Sequence, residues 1–323
     1  MKALSKELQK KAYLSSSLWK SDVVLVNSHH WRKKLWQLLI WRLLRPGGVL
    51  LHRIDGPISL IRGTPASRFV DRRIALFSRL VADGAIFQSL WSQSQSAKLG
   101  ITNHRSVVIL NAPDGDVFYK KSQNKIPESK FKVIAAAWSS NSAKGFHYFS
   151  ALDRSIDSAS VEVVFVGNSP IPFERILHKP PMASRDLATE LRAADVFLAA
   201  SENDPCSNAL IEAIHCGLVP IALDSGGHPE LVRNNRLMFS NLDELENILK
   251  LGPKELRRIW GSGHLPKLEE VAENYVDFAR SLMTPSSRVG PAIKIALFWL
   301  ADAPLQFSSR FSGWVGSRAF RKR

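Results

Sequence analysis

The chain has 323 residues, 45% of them hydrophobic and 23% charged, which is typical of a globular protein long enough for two ordinary domains. Its two cysteines, Cys206 and Cys216, predict neither a disulfide framework nor a metal site, so we expect a reduced, cytoplasmic protein. The N-terminus lacks the apolar core of a signal peptide, and no apolar run reaches the length of a membrane-spanning helix.

The net charge of +15 comes from the two ends of the chain. Residues 1–53 hold eleven lysines and arginines against two acids, and residues 285–323 hold seven against one. Such ends indicate an anionic partner, which is nucleic acid, a membrane surface or a phosphorylated substrate, or they are only solvated basic surfaces. No nucleic-acid-binding motif is present, so we expect no nucleic-acid partner.

Short apolar runs alternate with longer helical patterns along the chain. The predicted strands are Val23–Asn27, Val49–Ile54, Gly84–Phe87, Ser106–Leu110, Lys132–Ala136, Val161–Val166, Asp195–Ala199 and Leu218–Leu223. The predicted helices between them include Trp31–Leu44, Phe69–Leu80, Ser92–Leu99, Phe146–Ser155, Ser184–Ala193, Ser207–Cys216 and His228–Val232. Continuous runs of Val, Ile, Leu and Phe between helices are typical of parallel sheets covered on both faces. The predicted class is therefore α/β with βαβ units.

A polar, lysine-rich segment, Tyr119–Lys130, interrupts this alternation and predicts a linker between two α/β domains. The pattern changes again at Pro285, where a stretch rich in aromatic and basic residues begins. We therefore predict an N-terminal domain over residues 1–125, a C-terminal domain over residues 126–284 and a basic aromatic tail over residues 285–323.

Four loops of the predicted second domain follow strands and carry Gly, Lys or acids. In chain order they are AWSSNSAKG (137–145), Gly167-Asn168, ASENDPCS (200–207) and DSGGHPE (224–230). Ligands of open parallel sheets bind outside the carboxyl ends of the strands, so we expect these loops to meet at a ligand site.

The third loop leads into a helix whose start suits a phosphate group. Ser207 is a typical N-cap and Gly217 a typical stop, and the start of a helix offers free N–H groups and a positive dipole end. Lys144 adds a positive charge, and the carboxylates of Asp204 and Glu212 can accept hydrogen bonds from ribose or sugar hydroxyls. Phosphate plus polyol indicates a nucleotide sugar, although each residue alone also fits an ordinary surface turn.

Three segments of the chain resemble the retaining glycosyltransferases of family 4, also called glycosyl transferases group 1. They are Leu187–Val232, which contains an acid–seven residues–Glu motif formed by Asp204 and Glu212, Val107–Phe118 and Ala143–Gly145. The resemblance implies the GT-B fold, in which two Rossmann-like domains with parallel sheets face each other across a cleft. The first domain is shorter here than is usual in the family.

The resemblance implies roles for individual residues of the donor site. In the family the second acid of the motif binds the nucleotide ribose, the first acid binds the transferred sugar and a lysine contacts the pyrophosphate, which implies Glu212, Asp204 and Lys144. A Gly-Gly loop lies close to the sugar, which implies Gly226 and Gly227. We also expect Ser207, Asn208 and Gly167 to bind the donor.

The family needs no metal, and we expect no cofactor besides a UDP- or GDP-linked donor. Two departures from the family pattern are visible. Asp204 is one methylene shorter than the usual Glu, and Trp138 or Ser139 stands where the family has a second, phosphate-binding Arg.

Candidates for the acceptor side lie in LLHRIDGP of the first domain. Arg53 and Asp55 lie at the end of a predicted strand there. The predicted catalytic set is Lys144, Asp204, Arg53 and Asp55, although a local ion pair that holds the turn explains Arg53 and Asp55 equally well. The family commonly places a His of this domain near the sugar, and His29, His30 and His52 are equally suitable.

Both basic ends also carry aromatic residues. Trp31–Arg45 predicts either a helix that lies on an anionic membrane or one that packs its apolar face on the sheet. The tail predicts either an interfacial segment or a helix that crosses back to the first domain.

The predicted function is retaining transfer of a hexose-type sugar to a glycan or lipid-linked acceptor in surface polysaccharide or glycolipid synthesis. The predicted location is the cytoplasm, with peripheral binding to the inner face of the cell membrane. The alternative is a non-catalytic GT-B protein that binds a nucleotide sugar or a partner protein.

Overall fold

A computed structural model describes residues 2–11, 13, 15, 17–120, 130–261, 263, 265–283 and 293–305. The chain forms two compact units, one of Met1–Leu110 with Val271–Arg323 and the other of Asn111–Glu270. Most of the predicted linker, at residues 121–129, lies outside the described residues, so the predicted domain limits stay predictions.

The described residues form ten strands and thirteen α-helices. The strands are β1 (Val23–Asn27), β2 (Val49–Ile54), β3 (Gly84–Phe87), β4 (Ser106–Val108), β5 (Phe131–Ala137), β6 (Val161–Gly167), β7 (Leu177–Lys179), β8 (Val196–Ala199), β9 (Val219–Leu223) and β10 (Met238–Phe239). The helices are α1 (Lys2–Lys10), α2 (Leu35–Leu44), α3 (Ile58–Arg62), α4 (Pro65–Leu80), α5 (Leu90–Lys98), α6 (Phe146–Ser155), α7 (Ser184–Arg192), α8 (Asn208–His215), α9 (His228–Val232), α10 (Leu242–Lys250), α11 (Gly252–Trp260), α12 (Leu268–Leu282) and α13 (293–305).

Two parallel sheets organise the two units. The first unit has the strand order β1-β2-β3-β4, and the second has the order β10-β9-β8-β5-β6-β7. All of these strand pairs are parallel, and helices connect most of them along the chain. The predicted α/β class with two Rossmann-like sheets is therefore confirmed.

The eight predicted strands are all present, with ends that differ by two residues or fewer. The prediction missed β7 and β10, which have three and two residues and lie at the two edges of the second sheet. Strands this short carry too few side chains to show an alternation or an apolar run.

The chain returns to the first unit through α12 and α13. Phe278 and Leu282 of α12 pack so closely on Gly84 of β3 that a side chain there would overlap them. In α13, Phe298 packs on Trp31 and Phe77, and Asp302 accepts two hydrogen bonds from Arg73, at 2.5 and 2.8 Å.

The predicted tail thus includes a helix that packs on the first unit, whereas residues 284–292 and 306–323 lie outside the described residues. Within the part of the chain that the structure describes, no helix combines the length and the apolar character needed to cross a bilayer.

His52 lies inside the first sheet and not at an open surface. Its side chain is fully buried on β2, its ring meets Phe77 edge-on, and its Nε2–H donates to the Ser28 carbonyl at 2.7 Å. Burial lowers the pKa of His52 from its usual 6.5 to about 4. The ring is therefore neutral near pH 7, and its contacts with Phe77 and the Ser28 carbonyl join β2 to neighbouring parts of the first unit.

His52 should make the folded state sensitive to acid. Because its pKa is lower in the folded than in the unfolded chain, the unfolded chain binds more protons, and stability falls as the pH drops from about 6.5 to about 4. Between pH 7 and about pH 4.5 this cost should be about 2 kcal/mol. The test compares the free energies of unfolding in urea of the wild type and His52→Gln at pH 7 and at pH 4.5. On going to pH 4.5, we expect the variant to lose about 2 kcal/mol less than the wild type. Equal losses in the two proteins would contradict this assignment.

Candidate functional site

Backbone N–H groups donate the hydrogen bonds that join the loops after β5, β8 and β9. The Glu202 N–H donates to the Ala143 carbonyl at 2.7 Å, and the Gly227 N–H donates to the Asp204 carbonyl at 2.9 Å. The Asn203 N–H donates to Ser225 Oγ at 3.0 Å. Three of the four loops that were predicted to meet therefore contact one another, and the Asn168 N–H of the fourth donates to the Ala137 carbonyl at 3.0 Å.

Two glycines make this close approach possible. Gly145 has a φ of +78°, and a Cβ at this position would overlap the backbone carbonyl of Ala200. Gly226 has a φ of +64°, and a Cβ there would overlap the backbone of Asp204. At both positions the positive φ and the short distance to the neighbouring backbone favour glycine. These two glycines therefore allow the loops to approach one another closely.

A pocket of about 300 Å³ lies between the ends of β5 and β8 and the start of α8. Apolar residues of the strands form much of its wall, and its polar lining residues are Ser139, Lys144, Ser201, Asp204, Ser207 and Asn208. Among the described residues that line it, Lys144 is the one basic side chain. The exposed ring of Trp138 also borders the pocket, and Trp138 or Ser139 stands where the family resemblance expects a second cation.

Lys144 and Asp204 form an ion pair within this pocket. Lys144 Nζ lies 3.0 Å from Asp204 Oδ2, and both side chains are partly buried. The other carboxylate oxygen of Asp204 accepts from the Cys206 N–H at 3.2 Å. The structure thus brings together two of the predicted catalytic residues, from loops that follow different strands.

Ser201 and His228 form a buried pair next to Asp204. His228 is fully buried, and burial lowers its pKa below the usual value, so the ring is neutral near pH 7. Its Nδ1–H donates to the Leu223 carbonyl at 2.9 Å, which leaves Nε2 to accept from Ser201 Oγ at 3.3 Å. Ser201 Oγ also lies 3.4 Å from Asp204 Oδ2. Because Ser201 carries one hydroxyl hydrogen, His228 and Asp204 compete for it.

Helix α8 begins at the pocket. Ser207 Oγ accepts from the Leu210 N–H at 3.5 Å, which confirms the predicted N-cap. Asn208 and Ala209 of the first turn line the pocket, and their N–H groups have no acceptor among the described residues. The side chain of Asn208 accepts a hydrogen bond from Asn111 Nδ2 at 2.9 Å. The first turn of α8 therefore offers N–H donors next to Lys144.

Glu212 occupies the second turn of α8 and does not line this pocket. Its carboxylate has no hydrogen-bond or ion-pair partner within the described ranges, and burial raises its pKa to about 7. A half-buried acid with no protein partner can accept hydrogen bonds from a ligand, and a polyol would supply such donors.

The other predicted donor residues take structural positions around the pocket. Gly167 ends β6, and its carbonyl accepts from His178 Nε2 at 2.8 Å. Gly226 and Gly227 contact Asp204 through their backbones, as described above, and do not line the pocket. The sequence prediction named neither Ser201 nor His228, although both lie in the loops that it selected.

Arg53 and Asp55 belong to the first unit and form a local network. Arg53 Nη1 donates to Asp55 Oδ1 and to Asn27 Oδ1, both at 2.5 Å, and Gln88 Nε2 also donates to Asp55 Oδ1. The local ion pair between Arg53 and Asp55, one of the two predicted explanations for these residues, is therefore present. A role of Arg53 and Asp55 toward an acceptor stays a prediction.

Comparison with family models gives one match, which lies in the second unit. The second unit matches the glycosyl transferases group 1. The match covers residues 132–251, which include all three interlocked loops and α8. A comparison with curated proteins finds no significant match.

Solved structures of glycosyltransferases have the same fold. HepE of Anabaena in complex with UDP-glucose is 18% identical and has a TM-score of 0.61 over 86% of this chain and 80% of that chain. The catalytic domain of starch synthase IV from Arabidopsis thaliana, bound to ADP and acarbose, is 14% identical and has a TM-score of 0.61 over 88% and 76% of the two chains. Sucrose-phosphate synthase from Thermosynechococcus elongatus is 15% identical and has a TM-score of 0.56 over 97% and 78%. The chain therefore has the GT-B fold that the resemblance implied.

The interlocking of the loops can be tested at Gly226. We expect Gly226→Ala to destabilise the protein by about 1–3 kcal/mol, because the Cβ meets the Asp204 backbone at a positive φ. The control is Gly115→Ala, where a Cβ meets nothing within 4 Å and φ is not positive. This control should leave stability unchanged or raise it by up to about 1 kcal/mol. Equal urea midpoints for the two variants would contradict the close approach.

Proposed function

We propose that the chain transfers a hexose-type sugar from a UDP- or GDP-linked donor to a glycan or lipid-linked acceptor, with retention of the anomeric configuration. The observation that carries the proposal is the pocket in which Lys144, Asp204 and the first turn of α8 meet. This pocket lies within the segment that matches the glycosyl transferases group 1. Relatives of the same fold bind UDP-glucose or ADP, which supports a nucleotide-linked donor.

The diphosphate would bind at Lys144 and the N–H groups of Asn208 and Ala209. These groups supply a positive charge, hydrogen-bond donors and the positive end of a helix dipole, which together suit a phosphate without a metal ion. A diphosphate would compete with Asp204 for Lys144. The Asp204 carboxylate would then accept hydrogen bonds from hydroxyls of the transferred sugar, while Glu212 would accept from the ribose.

The transfer breaks the bond between the anomeric carbon and the diphosphate oxygen, and that oxygen leaves with the electron pair. The acceptor oxygen forms the new bond to the anomeric carbon and loses its proton to the departing phosphate. Negative charge therefore grows on the diphosphate, and the fixed positive groups at Lys144 and α8 stabilise it more in the transition state than in the bound donor. Retention rests on the resemblance to family 4.

The acceptor side of the proposal rests on the first unit. Arg53 and Asp55 lie at the carboxyl end of β2, where an open parallel sheet places its ligands. We also propose a peripheral location on the inner face of the cell membrane and a role in surface polysaccharide or glycolipid synthesis, since both suit a lipid-linked or growing glycan acceptor.

One observation favours a second candidate, a non-catalytic protein that binds a nucleotide sugar. Lys144 is the one basic side chain among the described lining residues, and Trp138 or Ser139 lines the pocket where the family has a second cation. A donor-hydrolysis assay separates the two candidates. Release of free nucleoside diphosphate supports the enzyme, and tight donor binding without release supports the second candidate.

The pKa of Glu212 gives a test of the ribose assignment. A ligand that binds the carboxylate must displace its proton, because Glu212 is about half protonated near pH 7. Nucleotide affinity should therefore rise as the pH increases from 6 to 8, and binding at pH 7 should release about half a proton. Calorimetry in buffers of different ionisation enthalpy measures this release.

The matched variants are Glu212→Gln and Glu202→Gln. Glu202 is an exposed acid of the preceding loop that does not line the pocket. Glu212→Gln should abolish the proton release and weaken nucleotide binding by about 1.5–3 kcal/mol, whereas Glu202→Gln should behave as the wild type. Proton release that persists in Glu212→Gln would place the ribose elsewhere.

Lys144→Met tests the phosphate assignment. We expect turnover to fall by about 10- to 100-fold and nucleoside diphosphate binding to weaken, while nucleoside binding stays unchanged. The control is Lys179→Met, which removes another partly exposed lysine of the second unit, paired with Glu190 at 2.7 Å outside the pocket. If nucleoside and nucleoside diphosphate bind the wild type equally well, Lys144 is not a phosphate ligand.

A further inference from the structure

Helices α2 and α13 of the first unit share an exposed apolar face. In α2, the exposed side chains Trp36, Ile40, Leu43 and Leu44 follow the i, i+4, i+7, i+8 spacing of one helix face. The opposite face packs into the core through Leu35, Leu38, Leu39 and Trp41. Helix α2 therefore packs one apolar face into the core and leaves a second apolar face exposed.

Helix α13 repeats the pattern. Ile293, Leu297 and Leu300 are exposed at the i, i+4, i+7 spacing, whereas Ile295 and Phe298 are buried in the core that α2 also covers. Trp36 and Trp299 place the two helices side by side, with ring centroids 4.4 Å apart. The two exposed sets therefore form one surface, the α2–α13 patch, made of Trp36, Ile40, Leu43, Leu44, Ile293, Leu297 and Leu300.

The exposure of this patch is large for side chains of this kind. Trp36, Leu44 and Leu300 are 65%, 69% and 76% exposed. A contiguous apolar surface on a folded protein marks a contact site for a partner or a membrane. The charge around the patch indicates which of these it contacts.

Basic residues flank the two helices of the α2–α13 patch along the chain. Lys34 precedes α2 and Lys294 lies in its neighbour α13, and neither forms a salt bridge with a described residue. Asp302, the acid of α13, is buried and bonded to Arg73. Directly after α13, residues 306–323 contain five basic and four aromatic residues and no acid. An apolar face with tryptophan, set among basic residues, matches the layered chemistry of an anionic bilayer surface.

We propose that the α2–α13 patch docks the protein on an anionic membrane, with its apolar side chains in the interface and the neighbouring basic residues on lipid headgroups. A second copy of the chain fits the patch less well, because residues 1–53 carry nine excess positive charges that would repel those of the partner. The proposal deepens the peripheral location proposed above. It involves no residue of the donor pocket, which belongs to the other unit.

The test is cosedimentation with vesicles of phosphatidylcholine alone and of phosphatidylcholine with 30% phosphatidylglycerol. The patch variant carries Trp36→Gln, Leu44→Gln and Leu300→Gln. The control variant carries Trp19→Gln, Leu90→Gln and Leu99→Gln, which replace one exposed Trp and two exposed Leu elsewhere in the first unit. We expect the wild type and the control variant to bind the anionic vesicles, with an affinity that falls as salt rises, and the patch variant to bind at least about tenfold more weakly.

Thermal melting and nucleotide affinity serve as independent readouts. Nucleotide affinity should be unchanged in the patch variant, because its three side chains lie outside the donor pocket, and melting should remain cooperative with at most a small decrease from the lost contact between Trp36 and Trp299. If the wild type binds no nucleotide, the proposed function is wrong, and the vesicle result still tests the membrane proposal separately. Equal vesicle binding by patch and control variants would overturn the membrane proposal. The membrane proposal would also be overturned if the wild type and the control variant are dimers and the patch variant is a monomer. The patch would then be an interface between two copies of the chain.

Discussion

The backbone contact between the loops after β5, β8 and β9 is the constraint on which the candidate site depends. Gly145 passes the Ala200 carbonyl and Gly226 passes the Asp204 backbone at distances that admit no side chain. These contacts fix Lys144 and Asp204, 60 residues apart in the sequence, at 3.0 Å from each other. A side chain at either glycine would separate the loops and with them the two charges.

The ion pair also bears on how the proposed donor would bind. Lys144 is paired with Asp204, so in the proposed complex a diphosphate would replace the carboxylate at the lysine. The same replacement would free Asp204 to accept hydrogen bonds from sugar hydroxyls. If Glu212 binds the ribose, binding to its carboxylate would also displace about half a proton near pH 7. Donor binding would thus redistribute three charges within a single unit of the chain.

The sequence predicts those features that depend on local pattern. The bounds of β1, β2 and β3 could be predicted because apolar runs and turn residues delimit them, and the cap at Ser207 because it bonds three residues ahead. The pairs Lys144–Asp204 and Ser201–His228 could not, because each forms only after separate loops have met across the sheet edge. For the same reason, the exposed apolar face shared by α2 and α13 depends on a contact between helices more than 200 residues apart.

A crystal structure with a bound nucleoside diphosphate sugar would show whether this pocket holds the diphosphate. We expect phosphate oxygens within hydrogen-bond distance of Lys144 Nζ and of the first N–H groups of α8, with the Lys144–Asp204 ion pair opened. A diphosphate bound elsewhere in the chain, with that ion pair still closed, would contradict this expectation.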